Sequence, residues 1–234
     1  MTWNMKALAD FVEKDQGKPQ RTIAAETLFS LMWKLNIVRY HSDKSKEAIS
    51  DLQEIDPTEI IGLIFEQATG SEKGKEFFKM QFASEANLIA CAQSLHSMSD
   101  ILGQVVYVSL NLDKALPKPI NQRRRYLGVI NDEMKKAALA PELTAKIDKF
   151  LSSKQFVFVS DYVNVTKHRS LVPAAYSVSF AEKSLHGLKL SAFRYDEREY
   201  EATWSNDFLD SDVKSLLEMI VEIGNEINKF LGIG

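Results

Sequence analysis

The chain is short of the residues that staple a fold, ligate metals or mark an active site by spacing. It has one cysteine, Cys91, in 234 residues, so an internal disulfide and a thiolate metal cage are both excluded. Cys91 stands in an apolar stretch, where a lone thiol serves as a small core side chain. Histidine is scarce as well, with four in the chain. No His-x-x-x-His or Glu-x-x-His spacing occurs, so no metal site is expected and no cofactor is called for. Gly-rich phosphate loops and a Gly-x-Ser-x-Gly elbow are missing, which removes the motif routes to P-loop and α/β-hydrolase chemistry. A large charge of one sign is missing too. A net charge of −3 and a pI near 5.9 give no general attraction to nucleic acid or anionic lipid, so such a contact must rest on a local basic patch. The N-terminal MTWNMKALADFVEKD lacks a basic start followed by an apolar block. No secretory signal is expected there, and the expected location is cytoplasmic.

What the chain does have is helical periodicity. Gln81 to Leu112 is apolar on nearly every side, the pattern of a buried helix. Its Glu85, Asn87, Gln93, His96, Asp100 and Gln104 argue against a membrane span, so it is read as the central helix of a bundle. Trp3, Leu8, Phe11 and Val12 give a short docking helix over Thr2 to Asp15. Ile23, Leu28, Leu31, Met32, Leu35 and Val38 give an amphipathic helix over Arg21 to His41. Asp56-Pro57-Thr58-Glu59 is a start signal for a helix to about Ala68, closed by the turn Thr69-Gly70-Ser71. Gly74 marks a place where the following helix could be interrupted.

After the central helix, Pro117 and Pro119 make a rigid connection. Asn121 can cap the next segment, whose Arg123, Arg124 and Arg125 would then stand at the helix end that disfavours positive charge. They are read as a solvated face, with a phosphate or acidic partner as the competing reading. Pro141 opens another helix. In QFVFVSDYVNVTKHRSLVP, Phe156, Val159, Val163 and Thr166 share a helical face that ends before Pro173.

Beyond Pro173 the period changes to two. AAYSVSFA, GLKLSAFRY and REYEATW, separated by EKSLHG and DE, predict a three-stranded antiparallel meander. Asp210-Ser211-Asp212 is then expected to cap a last helix with the stripe Val213, Leu216, Leu217, Ile220, Ile223, Ile227 and Phe230. The fold class is therefore mainly α with a small β element (α+β). A single domain over 1–234 is expected, divided into a helical bundle (1–172), a β meander (173–206) and a C-terminal docking helix (207–234).

Two polar clusters interrupt apolar helices. In the first, His96 and Asp100 lie four apart on one helix face, with Glu85 three turns earlier. In the second, Asn164 and His168 lie four apart, Asp161 seven before His168, and Lys167 and Arg169 flank the imidazole. A carboxylate orienting an imidazole beside a cation is the minimum outfit for proton transfer on a phosphate ester. The same spacing is also that of hydrogen bonds in a half-buried structural seam. His41 and His186 fall in predicted turns and are expected to be solvated.

The Asn-x-x-Lys-His-Arg stretch on a late helix of a bundle resembles the HEPN (higher eukaryotes and prokaryotes nucleotide-binding) superfamily of bacterial helical proteins. That family's signature is an Arg, a polar residue and a His some four to six residues further along one helix. Asn164 and His168 match the last two, while Val163 or its neighbours hold the Arg position and Arg169 follows the His. The resemblance implies a metal-independent ribonuclease or nucleotide-binding module, with His168, Asn164, Asp161 and Arg169 as catalytic candidates. Lys167, His96, Asp100, Arg123, Arg124 and Arg125 are the binding candidates. The other reading is a helical binding or assembly protein whose polar seam is structural. Expected partners are a second copy of the chain and RNA or a nucleotide, with no membrane.

Overall fold

Helices appear along most of the chain where the apolar spacing places them. A computed structural model describes residues 2–181 and 185–233. The helices run in the order α1 (Met5–Gln16), α2 (Lys18–Glu47), α3 (Pro57–Thr69), α4 (Glu72–Ser109), the single turn α5 (Leu112–Ala115), α6 (Leu127–Lys136), α7 (Pro141–Leu151), α8 (Lys154–His168) and α9 (Val213–Phe230). α4 is the long central helix, 38 residues, and it starts well before Gln81.

Gly74 does not interrupt α4; it makes the turn into it possible. A side chain there would begin 2.2 Å from the Glu66 carbonyl oxygen, so only glycine fits so close to the end of α3. Gly70 closes α3 at φ +74°, the left-handed conformation that glycine adopts without steric cost. Ser71 Oγ then accepts the Gly74 N–H at 3.1 Å. At the start of α3, Asp56 accepts the Thr58 N–H at 2.8 Å with Pro57 in the first helical position.

Contacts divide the chain into two compact units assembled from separate stretches. The first comprises Met1–Asn36, Ser94–Phe158 and Lys214–Gly234. Its core is formed by Leu8, Leu28, Met98, Leu102, Ile147 and Ile220, among others, all buried. The Trp3 indole N–H donates to Asn228 Oδ1 at 3.2 Å. Gly224 leaves room for that ring, since a Cβ there would lie 2.1 Å from it. Gln16 Nε2 donates to the Val108 and Ser109 carbonyls, each at 3.2 Å, supplying donors that the last turn of α4 lacks. α6 and α7 pair through Asn131, which donates to Asp148 at 2.7 Å. The α9 stripe is buried at Leu216, Ile220, Ile223 and Ile227, but Phe230 at its end is exposed.

The second unit comprises Ile37–Gln93 and Val159–Val213. Here α2 and α4 are joined by two reciprocal serine bonds: Ser45 Oγ to Ser84 O at 2.9 Å and Ser84 Oγ to Ser45 O at 2.8 Å. Small side chains that bond the neighbouring backbone satisfy buried hydroxyls in this way. Buried Cys91 donates to the Val38 carbonyl at 3.6 Å, and burial pushes its thiol up to about 12. The antiparallel sheet is β1 (Ala174–Ser179), β2 (Leu185–Leu190) and β5 (Thr203–Trp204), in the order β1-β2-β5. Its register pairs Ala174 with Leu190 and Leu190 with Thr203. Gln81 donates to the Ala174 carbonyl at 3.4 Å and Glu85 accepts the Ala174 N–H at 2.8 Å. The first residue of β1 is thus held by α4 from both backbone atoms.

Several expectations need correction. A separate hairpin of β3 (Phe193–Tyr195) and β4 (Arg198–Tyr200) stands beside the sheet. The meander's third strand therefore comes from Thr203–Trp204 alone. Of the expected EKSLHG separator, Leu185 to Gly187 belong to β2, and residues 182–184 lie outside the described residues. The three arginines do not open a helix: Asn121 caps a 3₁₀ turn over Gln122–Arg124 at 3.0 Å to the Arg123 N–H, and α6 begins only at Leu127. Asp210 caps nothing, because the backbone is already helical from Ser205 through the wide π-type turn Asp207–Asp212. Its carboxylate bonds Lys46 at 2.8 Å instead. His41 and His186 are not in turns. His41 lies in α2 and bonds Asn87 at 2.8 Å, and His186 lies in β2 and bonds the Tyr176 hydroxyl at 2.9 Å.

Candidate functional site

The last turns of α8, from Val159 to His168, lie in the second unit, and they hold the DYVNVTKHR cluster. The structure separates its members. Asp161 is only 2% exposed. Arg198 grips it bidentately, Nε to Oδ2 at 2.6 Å and Nη2 to Oδ1 at 2.9 Å, and the Tyr200 hydroxyl donates to Oδ2 at 2.5 Å. Arg198 and Tyr200 are two apart in β4, so they leave the strand on the same face. Fork geometry of this kind makes the strongest ordinary charge-assisted bond. It raises the Arg198 guanidinium above its usual range, mainly through the bond to Asp161. Burial, then the bond to Asp161, pushes the Tyr200 hydroxyl up to about 12.

Around this clamp the hairpin is packed by rings. Phe193 stacks on Tyr200 with centroids 4.5 Å apart and meets Tyr162 edge-on at 5.9 Å. Arg169 is engaged at the hairpin's tip, Nη2 to Asp196 Oδ1 at 2.7 Å, with its guanidinium 4.5 Å above the Tyr195 ring. Asp196 itself sits at φ +52°, a left-handed turn position that Asp tolerates better than most residues.

Asp161 and Arg169 are thus occupied in holding the hairpin to α8. His168 and Lys167 are exposed and have no hydrogen-bond partner among the described residues, while Asn164 is half-buried. The Asp161 carboxylate is bonded to Arg198 and Tyr200 and not to His168, against the relay that the spacing predicts. Nothing in the sequence ties Asp161 to Arg198 and Tyr200, which lie 37 and 39 residues further on. The one local signal was the alternation in Arg198-Glu199-Tyr200, which puts a cation and a hydroxyl on one strand face.

The other candidates belong to the first unit. His96 is half-buried and lies parallel to Phe156, centroids 6.3 Å apart and planes at 2°. Asp100 is half-buried one turn along α4. Arg125 Nε donates to the Ile120 carbonyl at 3.1 Å and Nη2 to Asp113 at 3.1 Å, and the guanidinium lies 3.8 Å from the centroid of the Tyr107 ring. The Tyr107 hydroxyl donates to Asp113 at 2.7 Å and is raised, by burial first and then by that bond. Arg123 and Arg124 are exposed.

Among the described residues no group of three or more His, Cys, Asp or Glu is placed to hold a metal ion. No helix among them is long and apolar enough to cross a membrane. Comparison of the chain with family models, curated proteins and solved structures gives no match.

Proposed function

We propose that this chain is a helical binding and assembly protein that self-associates, with the polar seam on α8 serving the fold. The observation that carries the reading is the Phe29–Trp33 stack on α2, centroids 5.9 Å apart and planes at 17°. Phe29 and Trp33 are 57% and 56% exposed, and Met32 beside them is 41% exposed. Leu28 and Leu31 on the same helix are buried, and at 100° per residue Phe29 and Trp33 point to the opposite side. The helix has already satisfied its core face and carries a second apolar one. Such clusters on a soluble surface mark interaction sites. A second copy is the occupant that supplies a matching patch, because a two-fold axis buries the same residues twice.

Sedimentation of the parent at micromolar concentration is expected to give a dimer. Exchanging Phe29 and Trp33 together for Ser should weaken it by at least about tenfold, in line with aromatic anchors costing roughly 2 kcal/mol or more. The circular dichroism spectrum should not change. A parent that sediments as a monomer throughout would sink the reading.

A second reading, a HEPN-type metal-independent ribonuclease or nucleotide-binding module, is favoured by exposed Lys167 and His168 with Asn164 one turn before the imidazole. Its expected result is RNA cleavage in the presence of a chelator that His168→Ala abolishes. Because His168 is exposed, the variant should keep its stability within about 0.5 kcal/mol of the parent. A parent that leaves RNA intact rules this reading out.

A further inference from the structure

From the end of α5 to the start of α6 the local charge is the reverse of the whole chain's. Lys114 to Tyr126 reads KALPKPINQRRRY, five cations and no acid, in a protein of net charge −3. One of the five, Arg125, is used internally on Asp113, Tyr107 and the Ile120 carbonyl. The Tyr107 hydroxyl also accepts the Ile120 N–H at 3.3 Å, and Gln104 donates to the Arg125 carbonyl at 2.9 Å. With Pro117 and Pro119 stiffening the middle, the loop is held in one conformation. Preorganisation of this kind reduces the ordering cost of binding.

The other four, Lys114, Lys118, Arg123 and Arg124, are exposed and form no ion pair among the described residues. Lys118 and Arg124 face a recess of about 360 Å³ whose walls include Ile120, Asn121, Val129 and Glu133. Glu133, the acid in that wall, is paired with Lys136 at 2.7 Å. Tyr126, which precedes α6, is 55% exposed. The spacing Tyr126, Val129, Glu133 places it at the head of the α6 face that lines the recess.

Planar guanidinium groups match phosphate oxygens. Cations tracking a backbone beside an exposed ring make the stacking platform that unpaired bases occupy. An acidic protein segment would use the cations but gain little from the ring. We propose that Lys114–Tyr126 is a binding surface for single-stranded nucleic acid, with Lys114, Lys118, Arg123 and Arg124 on backbone phosphates and Tyr126 stacked on a base. This surface is independent of the α2 patch and of His168.

The test is fluorescence anisotropy of the full chain with labelled dodecauridylate. Four phosphate contacts on a single strand imply about 50-fold weaker binding at 200 mM than at 50 mM salt. Replacing Arg123 and Arg124 together by Ala should halve the slope of log affinity against log salt, leaving roughly a sevenfold salt effect. Tyr126→Ala should weaken binding roughly 5- to 150-fold with the slope unchanged, and Tyr126→Phe should retain it. All these side chains are exposed, so melting curves should overlay the parent's. The proposal fails if the parent does not bind the oligonucleotide, or if the double arginine variant binds as the parent does. It fails too if polyglutamate displaces the oligonucleotide as well as unlabelled RNA does and Tyr126→Ala is silent, which would identify an acidic protein surface.

Discussion

Asp161→Ala should destabilise the protein by about 2 to 3 kcal/mol, whereas the same change at His168, seven residues along the helix, should do almost nothing. Asp161 is buried and accepts three bonds from Arg198 and Tyr200. A hydrogen bond to a charged group contributes roughly 1.5 to 3 kcal/mol, and the half-buried Tyr200 hydroxyl left without its acceptor adds a smaller desolvation cost. Arg198 is partly exposed and recovers water when its partner goes, which keeps the total below that of a fully enclosed ion pair. In a chain of this size the loss corresponds to a melting temperature lower by about 4 to 12 °C. Asp161→Asn should be nearly as harmful, because its amide presents donors to a guanidinium that has only donors. Urea unfolding of the three variants makes the comparison. If Asp161→Ala melts with the parent, the clamp does not hold the hairpin and Asp161 returns as a candidate for orienting His168.

The helical part of the architecture was legible because its signals are local. The apolar period, the Asp56-Pro57 start and the Gly70 stop each depend on residues within one turn, and the structure uses all three. The errors arose where distant partners decide. The run from Leu190 to Trp204 has alternation enough for strands, but which of them pair depends on closure with β2 and on the grip of α8, both non-local. Thus Phe193 and Tyr200 pair with each other, and only Thr203 and Trp204 reach β2. The expected cap at Asp210-Ser211-Asp212 failed for a related reason. Capping preference is a weak local term, and the salt bridge to Lys46 with burial of Phe208 and Leu209 gives those residues another role.

Spacing along α8 showed that Asp161, Asn164 and His168 are presented near one another on the helix, but not what faces them. The same pattern serves a proton relay or a structural seam, and the difference lies in residues 198 and 200. The sequence places Arg125 with Arg123 and Arg124 in one basic run. Tyr107 and Asp113 withdraw it from that run, and they belong to the preceding helix and the turn that follows it. What remains exposed is smaller than the sequence implied, and better fixed in place.

Alkali should unfold the protein between about pH 10 and pH 12, with the loss concentrated in the second unit. Burial pushes the Tyr176 hydroxyl up to about 12 from its ordinary 10.0, raises Tyr162, and with the Asp161 bond carries Tyr200 to about 12. All three lie in that unit. In the unfolded chain a tyrosine ionises near pH 10. Below that pH both states hold the proton, so the stability these groups contribute is fully present. As pH rises from 10 to 12 the unfolded chain releases protons that the folded chain retains, and stability falls. Tyr176 alone accounts for roughly 2 to 3 kcal/mol of the fall, and Tyr200, nearer to solvent, for less. Phenolate absorbance from Tyr162, Tyr176 and Tyr200 should then appear cooperatively with the loss of far-ultraviolet dichroism. Tyr176→Phe gives up its bond to His186, about 1 kcal/mol at neutral pH, yet it should lose 2 to 3 kcal/mol less than the parent across that window. Were Tyr162, Tyr176 and Tyr200 to ionise near pH 10 with the dichroism intact, the enclosure of their hydroxyls would be wrong.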